Sequence, residues 1–410
     1  MALRSRIVSR RYQIGGRIAT GERGDVYEAR TEGLDGVWAV KHLRPAAGVD
    51  LEARLVREAA ASASLDHPNV VELIDAGQSA GNFVLVTERL EGITLEEAMA
   101  CLRRSGRRLP LDLALGIGAE LTRAVAHVHG RTLPDGTPLG IVHRDLCPAH
   151  VLLTLSGAVK LVDFGHASFL GSQDSEVSNS VPISGYQAPE QASGRPGDVQ
   201  ADMFSLGALL FELVSGEPLY SAVDEDVLRV QVCSGAFVPV AERVPELELD
   251  LIRLIEEATH PTHEARLGSA RNLERRLDQF RVARGLSMDA ESLASFVQAH
   301  VQEATASRPD PSGGPLEGAE LVLPPELVPD TSDLELPNRE SVGPPSGHAS
   351  APIRKPRMER LVRVPQPQLP RLPALPRPRL RGGERAWRGW LVIGCAALAL
   401  VVALIVAFRG

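Results

Sequence analysis

The chain is poor in aromatic residues, which make up 4% of its 410 residues, and its four cysteines, Cys101, Cys147, Cys233 and Cys395, form no C-x-x-C pair. Disulfide scaffolds and zinc ribbons both need paired cysteines, so both are excluded, and a reducing compartment is expected for the bulk of the chain. An excess of positive charge is also missing, because 44 Lys and Arg stand against 52 Asp and Glu for a formal net charge of −8. No nucleic-acid partner is expected from that balance. The opening residues MALRSRIVSRRYQ lack the apolar core of a secretory signal.

What is present divides the chain by composition. From Tyr12 to about Phe280, strand-like and helix-like periods alternate, as in a globular domain with both elements. Leu293, Phe296, Val297, His300 and Val301 then recur at helical spacing, which predicts an accessory helix within residues 284–305. Between Pro309 and Pro378 lie 17 of the chain's 30 prolines. Proline fixes φ and removes a backbone donor, so residues 306–389 are expected to be a disordered, extended linker. This linker is acidic first, with seven acids in 316–340, and basic later, with eleven Lys and Arg in 351–390. Its Leu-Pro-Arg, Leu-Pro-Ala, Leu-Pro-Arg repeat from Leu369 to Arg377 suits a polyproline II stalk, which turns once every three residues.

Leu391–Phe408 is an uncharged apolar run of 18 residues. At 1.5 Å per residue it reaches about 27 Å, so residues 390–408 are expected to form a transmembrane helix in contact with membrane lipid. Trp387 and Trp390 stand where interfacial aromatics belong, and the arginines before them favour the cytoplasmic side. The expected topology is single-pass and tail-anchored, with the globular part in the cytoplasm.

Chemistry enters with a small-residue hairpin, Ile18 to Tyr27, in which Ala19, Gly21, Gly24 and Val26 would bring backbone close to a phosphate. An apolar strand, Val37-Trp38-Ala39-Val40, ends in Lys41, and Glu58 follows in an Ala-rich helical stretch. Next come Val142-His143-Arg144-Asp145-Leu146-Cys147-Pro148-Ala149-His150, then Asp163-Phe164-Gly165, Ala188-Pro189-Glu190, Asp202 and Arg266. In this order the motifs resemble the eukaryotic-type (Hanks-type) protein kinases over roughly residues 12–283, and most of all the bacterial membrane-anchored Ser/Thr kinases.

The resemblance implies a bilobal α+β fold with a β-rich N-lobe and an α-rich C-lobe, and a Ser/Thr protein kinase that transfers the ATP γ-phosphate to protein hydroxyls. It implies that Ala19, Gly21, Gly24, Val26, Ala39, Lys41, Glu88 and Leu90 bind ATP, with Thr87 as gatekeeper. Lys41, Glu58 and Asp145 are the implied catalytic residues, Asp163 the implied Mg²⁺ ligand, Asp202 a brace for the catalytic loop, and Glu190 with Arg266 a structural ion pair. Three positions depart from the family pattern. Ala19 replaces a glycine, Cys147 replaces a lysine whose usual threonine partner is Ile183, and His150 replaces the asparagine of the second metal position. Imidazole suits borderline metals, so His150 is expected to favour Mn²⁺ over Mg²⁺. These departures leave a second reading open, a nucleotide-binding pseudokinase that acts as a membrane-tethered scaffold. Arg144 before Asp145, together with Ser168, Ser172, Ser175, Ser178, Ser180 and Ser184, points to autophosphorylation of the activation loop, in trans through self-association.

Overall fold

Alternation of apolar and polar residues at the start of the chain builds one antiparallel sheet. In β1 (Arg11–Gly21) Tyr12 and Ile14 are buried while Arg11 and Gln13 face solvent, and β1 pairs with β2 (Gly24–Thr31) as the expected hairpin. Then follow β3 (Trp38–Leu43), α1 (Leu51–Ala63), β4 (Leu73–Ser79) and β5 (Asn82–Glu88). Gly24 is demanded by backbone proximity, since a Cβ there would lie 2.2 Å from the His42 carbonyl oxygen on β3. The computed structural model describes residues 11–21, 24–31, 36–44, 51–133, 135–169, 183–306, 308 and 314–323. All of these belong to the first of two units, residues 1–342 and 343–410.

The second lobe is helical. It comprises β6 (Gly92–Thr94), α2 (Leu95–Arg104), α3 (Leu111–His129), β7 (Val151–Thr154), β8 (Val159–Leu161), α4 (Pro189–Ala192), α5 (Val199–Ser215), α6 (Glu225–Ser234), α7 (Val240–Arg243), α8 (Leu249–Ala258), α9 (Ala270–Ala283) and α10 (Ala290–Ala306). A capping box starts α2, where Thr94 Oγ1 accepts the Glu97 N–H and the Glu97 carboxylate accepts the Thr94 N–H. Helix α5 is buried on every side from Ala201 through Ser215 and forms the lobe's axis, with α3 and α8 against it. It stops at Gly216, whose φ of 81° is the left-handed conformation of a helix C-cap. The bilobal α+β architecture expected from the motifs is the one observed.

The accessory helix is α10. Leu293, Val297 and His300 are buried and Phe296 and Val301 pack beside them, so the face read from the sequence is the one that meets α2, β6 and β7.

Part of the expected linker is folded, which corrects the reading of 306–389 as wholly extended. Residues 314–323 form a turn and β9 (Glu320–Val322), which adds antiparallel to the outer edge of β1 and makes the sheet order β4-β5-β3-β2-β1-β9. The reason is apolar burial at an open sheet edge. Leu316, Leu321 and Leu323 are 2–3% exposed and complete the core made by Tyr12, Tyr27, Val40, Val84 and Val86. Upstream, Arg308 is fastened to the helical lobe by hydrogen bonds to both Glu97 carboxylate oxygens (2.7 and 2.9 Å) and to Gly92 O (3.1 Å). The chain after α10 therefore touches both lobes.

Among the described residues no helix is long and apolar enough to cross a membrane. The run Leu391–Phe408, the basic stalk and the loop serines from Ser172 to Ser180 lie outside the described residues.

Candidate active site

Three elements converge on one ammonium group. Lys41 sits in the middle of the sheet, opposite Val26 on β2 and Leu85 on β5. Its Nζ donates to Glu58 Oε1 of α1 at 2.7 Å and lies 2.9 Å from Asp163 Oδ1. Burial pulls the Lys41 pKa down, but the two carboxylates outweigh it and hold the group above its ordinary value, so it is charged. Asp163 has a φ of 64°, rare for a residue with a side chain, and its Oδ1 also accepts the Gly165 N–H. Phe164 after it is buried against the His143 ring, with centroids 4.9 Å apart.

The catalytic loop hangs from α5. Asp202, fully buried in the first turn of α5, accepts the backbone N–H groups of His143 and Arg144 at 2.8 Å each and faces His129 Nε2 at 2.8 Å. Burial raises the Asp202 pKa, but its hydrogen bonds, that from His129 first, bring it below the ordinary carboxylate value. This anchoring lets Arg144 hold a φ of 66°, while its Nε donates to Gly197 O. Asp145 is thereby set at the mouth of the loop with its side chain 11% exposed. Below it, Arg266 spends all five N–H donors inside the protein, two on the Glu190 carboxylate and the others on the carbonyls of His260, Gln200 and Pro261.

His150 lies between the two acidic residues. Its Nδ1 is 2.8 Å from the Asp145 carbonyl oxygen, and its Nε2 is 3.8 Å from Asp163 Oδ2. A carbonyl only accepts, so Nδ1 carries the proton there and Nε2 faces Asp163. That orientation, with the far nitrogen tied to a carbonyl, is the one found for metal-bound histidines. Two ligands of one Mg²⁺ stand about 3 Å apart at bond lengths of about 2.1 Å, so Asp163 and His150 fit a divalent cation with a small adjustment. Without a metal, burial lowers the His150 pKa but the Cys147 contact and the charges of Asp163 and Asp145 push it up to about 10. The imidazole is then cationic. Cys147 Sγ is 3.4 Å from His150 Nδ1, and Ile183, at the position of the family's threonine, is buried in the helical core.

The expected ATP-binding positions fall on the first-lobe strands and just after them. Ala19 pairs with Val26 and Gly21 with Gly24 across the hairpin, Ala39 pairs with Thr87, and Glu88 and Leu90 follow at the junction of the lobes. The Glu88 side chain turns to Lys160 Nζ (2.6 Å), while its backbone N–H donates to Glu72 O (3.1 Å) and its carbonyl accepts from Thr87 Oγ1 (3.3 Å).

Two groups of residues were not singled out from the sequence. Arg44 donates to both carboxylate oxygens of Asp25 and to Gly21 O, and Thr20 Oγ1 donates to Asp25 Oδ1, so a buried acid ties three strands to the phosphate-approach hairpin. His166 places Nε2 3.8 Å from Asp145 Oδ2. Its position three residues after Asp163 was the available signal, but no spacing rule gives it a role.

The protein kinase domain family model matches residues 12–277. The chain belongs to the protein kinase family. Similar proteins include the serine/threonine-protein kinase PrkC of Bacillus subtilis, 38% identical over 212 residues, covering 51% of this chain and 31% of that one. The tyrosine-protein kinase MasK of Myxococcus xanthus is 28% identical over 305 residues, covering 71% of this chain and 46% of that one. The chain thus spans less than half the length of either relative. Among solved structures, the PknI kinase domain of Mycobacterium tuberculosis matches with a TM-score of 0.51 and 28% identity, covering 65% of this chain and 95% of that one. The kinase domain so identified contains every site residue described above.

Proposed function

We propose that the chain is a Ser/Thr protein kinase that uses ATP with Mg²⁺ or Mn²⁺ and is held at the cytoplasmic face of a membrane by residues 390–408. The observation that carries the catalytic part is Lys41 Nζ between Glu58 (2.7 Å) and Asp163 (2.9 Å), because phosphoryl transfer needs this lysine and the metal-binding acid in place together. Lys41 then binds the α- and β-phosphates, and Glu58 fixes its direction. Asp163 and His150 would hold the cation, which neutralises phosphate charge when bound. Asp145 accepts or orients the proton of the attacking hydroxyl, and Asp202 keeps the loop rigid while it does so. Serine and threonine are the preferred acceptors on two grounds, Pro148 in the HRDLCP segment and the description of PrkC as a Ser/Thr kinase.

One observation favours the alternative of a pseudokinase. An imidazolium 3.8 Å from Asp163 occupies the second-metal position with a proton. Metal must displace that proton, so metal affinity rises with pH, and Mn²⁺, which tolerates nitrogen better than Mg²⁺, is the better competitor.

The test is full-length protein with γ-labelled ATP and Mg²⁺ or Mn²⁺, beside Asp145→Asn and His150→Asn. Kinase activity predicts label that vanishes in Asp145→Asn and a Mn²⁺ preference that reverses in His150→Asn. Nucleotide binding without label under either metal, with label restored by His150→Asn, would establish the pseudokinase instead. Mixing Asp145→Asn protein with active chain tests phosphorylation in trans. The anchor rests on the composition of 391–408, and fractionation of cells carrying the chain with and without residues 390–410 tests it; recovery of both in the soluble fraction would refute it.

A further inference from the structure

The catalytic loop brings together three metal donors, Asp145, Cys147 and His150, in a grouping other than the one phosphoryl transfer uses. Residues 145–150 read Asp-Leu-Cys-Pro-Ala-His, and the single 3₁₀ turn Pro148–His150, closed by the His150 N–H on Cys147 O at 3.0 Å, folds the three donor side chains onto one another. Cys147 Sγ lies 3.4 Å from His150 Nδ1, and Asp145 Oδ2 lies 3.6 Å from the same nitrogen. One ligand atom from each residue falls within 4.8 Å of the other two.

These separations can be compared with a real coordination sphere. Bonds of about 2.3 Å to sulfur and about 2.0–2.1 Å to nitrogen and oxygen give a tetrahedral Zn²⁺ ligand edges of about 3.6 Å for S···N and about 3.3 Å for N···O. The observed edges of 3.4 and 3.6 Å differ from these by a few tenths of an ångström. The third edge, Sγ to Oδ2, lies within 4.8 Å, and the imidazole has to turn off the Asp145 carbonyl, 2.8 Å from Nδ1, before that nitrogen can face an ion. The donor set is one thiol, one imidazole and one carboxylate, which suits a borderline cation and is poor for Mg²⁺.

We propose that Asp145, Cys147 and His150 form an inhibitory site for a borderline divalent cation, of which Zn²⁺ is the type, distinct in its ligand atoms from the Asp163 site that serves ATP. The ion takes Sγ, Nδ1 and Oδ2. The thiol loses its proton to solvent and Nδ1 gives up the proton that now points at the Asp145 carbonyl, the bound ring carrying its proton on Nε2. The consequence for activity rests on the kinase reading above. Asp145 with its carboxylate on a cation no longer accepts a hydroxyl proton, so the same imidazole serves catalysis through Nε2 and inhibition through Nδ1. Replacement of the family's lysine and asparagine by Cys147 and His150 creates this site, since neither original side chain offers a thiolate or an imidazole.

The test uses the full-length protein without nucleotide, with Co²⁺ as a spectroscopic probe for Zn²⁺. Expected are one Co²⁺ bound with a thiolate-to-metal absorption band, displacement by Zn²⁺, loss of the band in Cys147→Ser, and affinity weakened by at least about tenfold in His150→Asn. Thermal unfolding of each variant shows that it is folded. In the labelled-ATP assay with excess Mg²⁺, Zn²⁺ should inhibit the wild type at concentrations that leave Cys147→Ser at its own metal-free rate. A band that persists in Cys147→Ser would assign the metal to another cysteine and overturn the proposal, as would the absence of any band in the wild type. A band that follows Cys147 in a protein with no kinase activity would keep the metal site and reject the kinase reading alone.

Discussion

Residues 314–323 bury three leucines on the N-lobe sheet, and cutting back two of them tests whether this strap folds with the lobe or opens by itself. Leu321→Ala removes a side chain that is 2% exposed, and such a truncation costs about 2–5 kcal/mol when the cavity stays in place. A segment able to detach cannot lose more than its own docking free energy, which lies below the roughly 5–15 kcal/mol that holds a whole domain. Leu321→Ala should therefore take most of it, and adding Leu323→Ala should cost much less than Leu323→Ala alone. Hydrogen exchange reads this residue by residue. The Ile14 N–H donates to Ala319 O at 2.9 Å, so its exchange should accelerate sharply in the double variant, whereas amides paired between β2 and β3 keep their protection. Additive costs, with Ile14 and the β2–β3 amides exposed together, would refute the argument and make the strap part of the cooperative core.

The clamp on the phosphate-approach hairpin should act on nucleotide more than on turnover. Arg44→Met breaks the contacts to Asp25 and Gly21 O, and because Arg44 is 40% exposed the loss is taken as about 1 kcal/mol, or roughly fivefold in the KM for ATP; steady-state kinetics showing equal loss in kcat would contradict it. Glu190→Gln leaves the buried Arg266 cation without its anion and should cost about 3–5 kcal/mol in urea unfolding, with most of it recovered when Glu190→Leu is combined with Arg266→Met; a single-variant cost under about 1 kcal/mol would mean that the pair is dispensable. Burial depresses the pKa of His143, so its contribution to stability is complete above the unfolded value of about 6.5 and is lost as pH falls below it. His143→Gln should reduce the slope of stability against pH in that range by up to about 1.4 kcal/mol per unit, and an unchanged slope would show that the histidine is protonated in the fold.

Lys41, Asp145 and Asp163 were named in the sequence through the resemblance of its ordered motifs to the protein kinases, and the fold brings Lys41 and Asp163 to 2.9 Å of each other. The accessory helix was legible for a different reason, since four apolar residues and a histidine at helical spacing specify a buried face whatever covers it. Proline density misled at 314–323, because what folds that stretch is Leu316, Leu321 and Leu323, three leucines too sparse for any periodicity to show. Their partners come from the other end of the chain, as do the partners of Arg308, bound to Glu97 and Gly92 at sequence separations of 211 and 216 residues. The Arg44–Asp25 clamp was hidden likewise, in a contact that exists only after β1, β2 and β3 pair. His150 shows the limit at the site itself. Its residue type raised the expectation of a changed metal preference, but only the loop geometry divides its two nitrogens, one toward Asp163 and the other into the Asp145 and Cys147 cluster. On the proposed assignment, the side of His150 on which a metal settles decides whether Asp145 can act as a base.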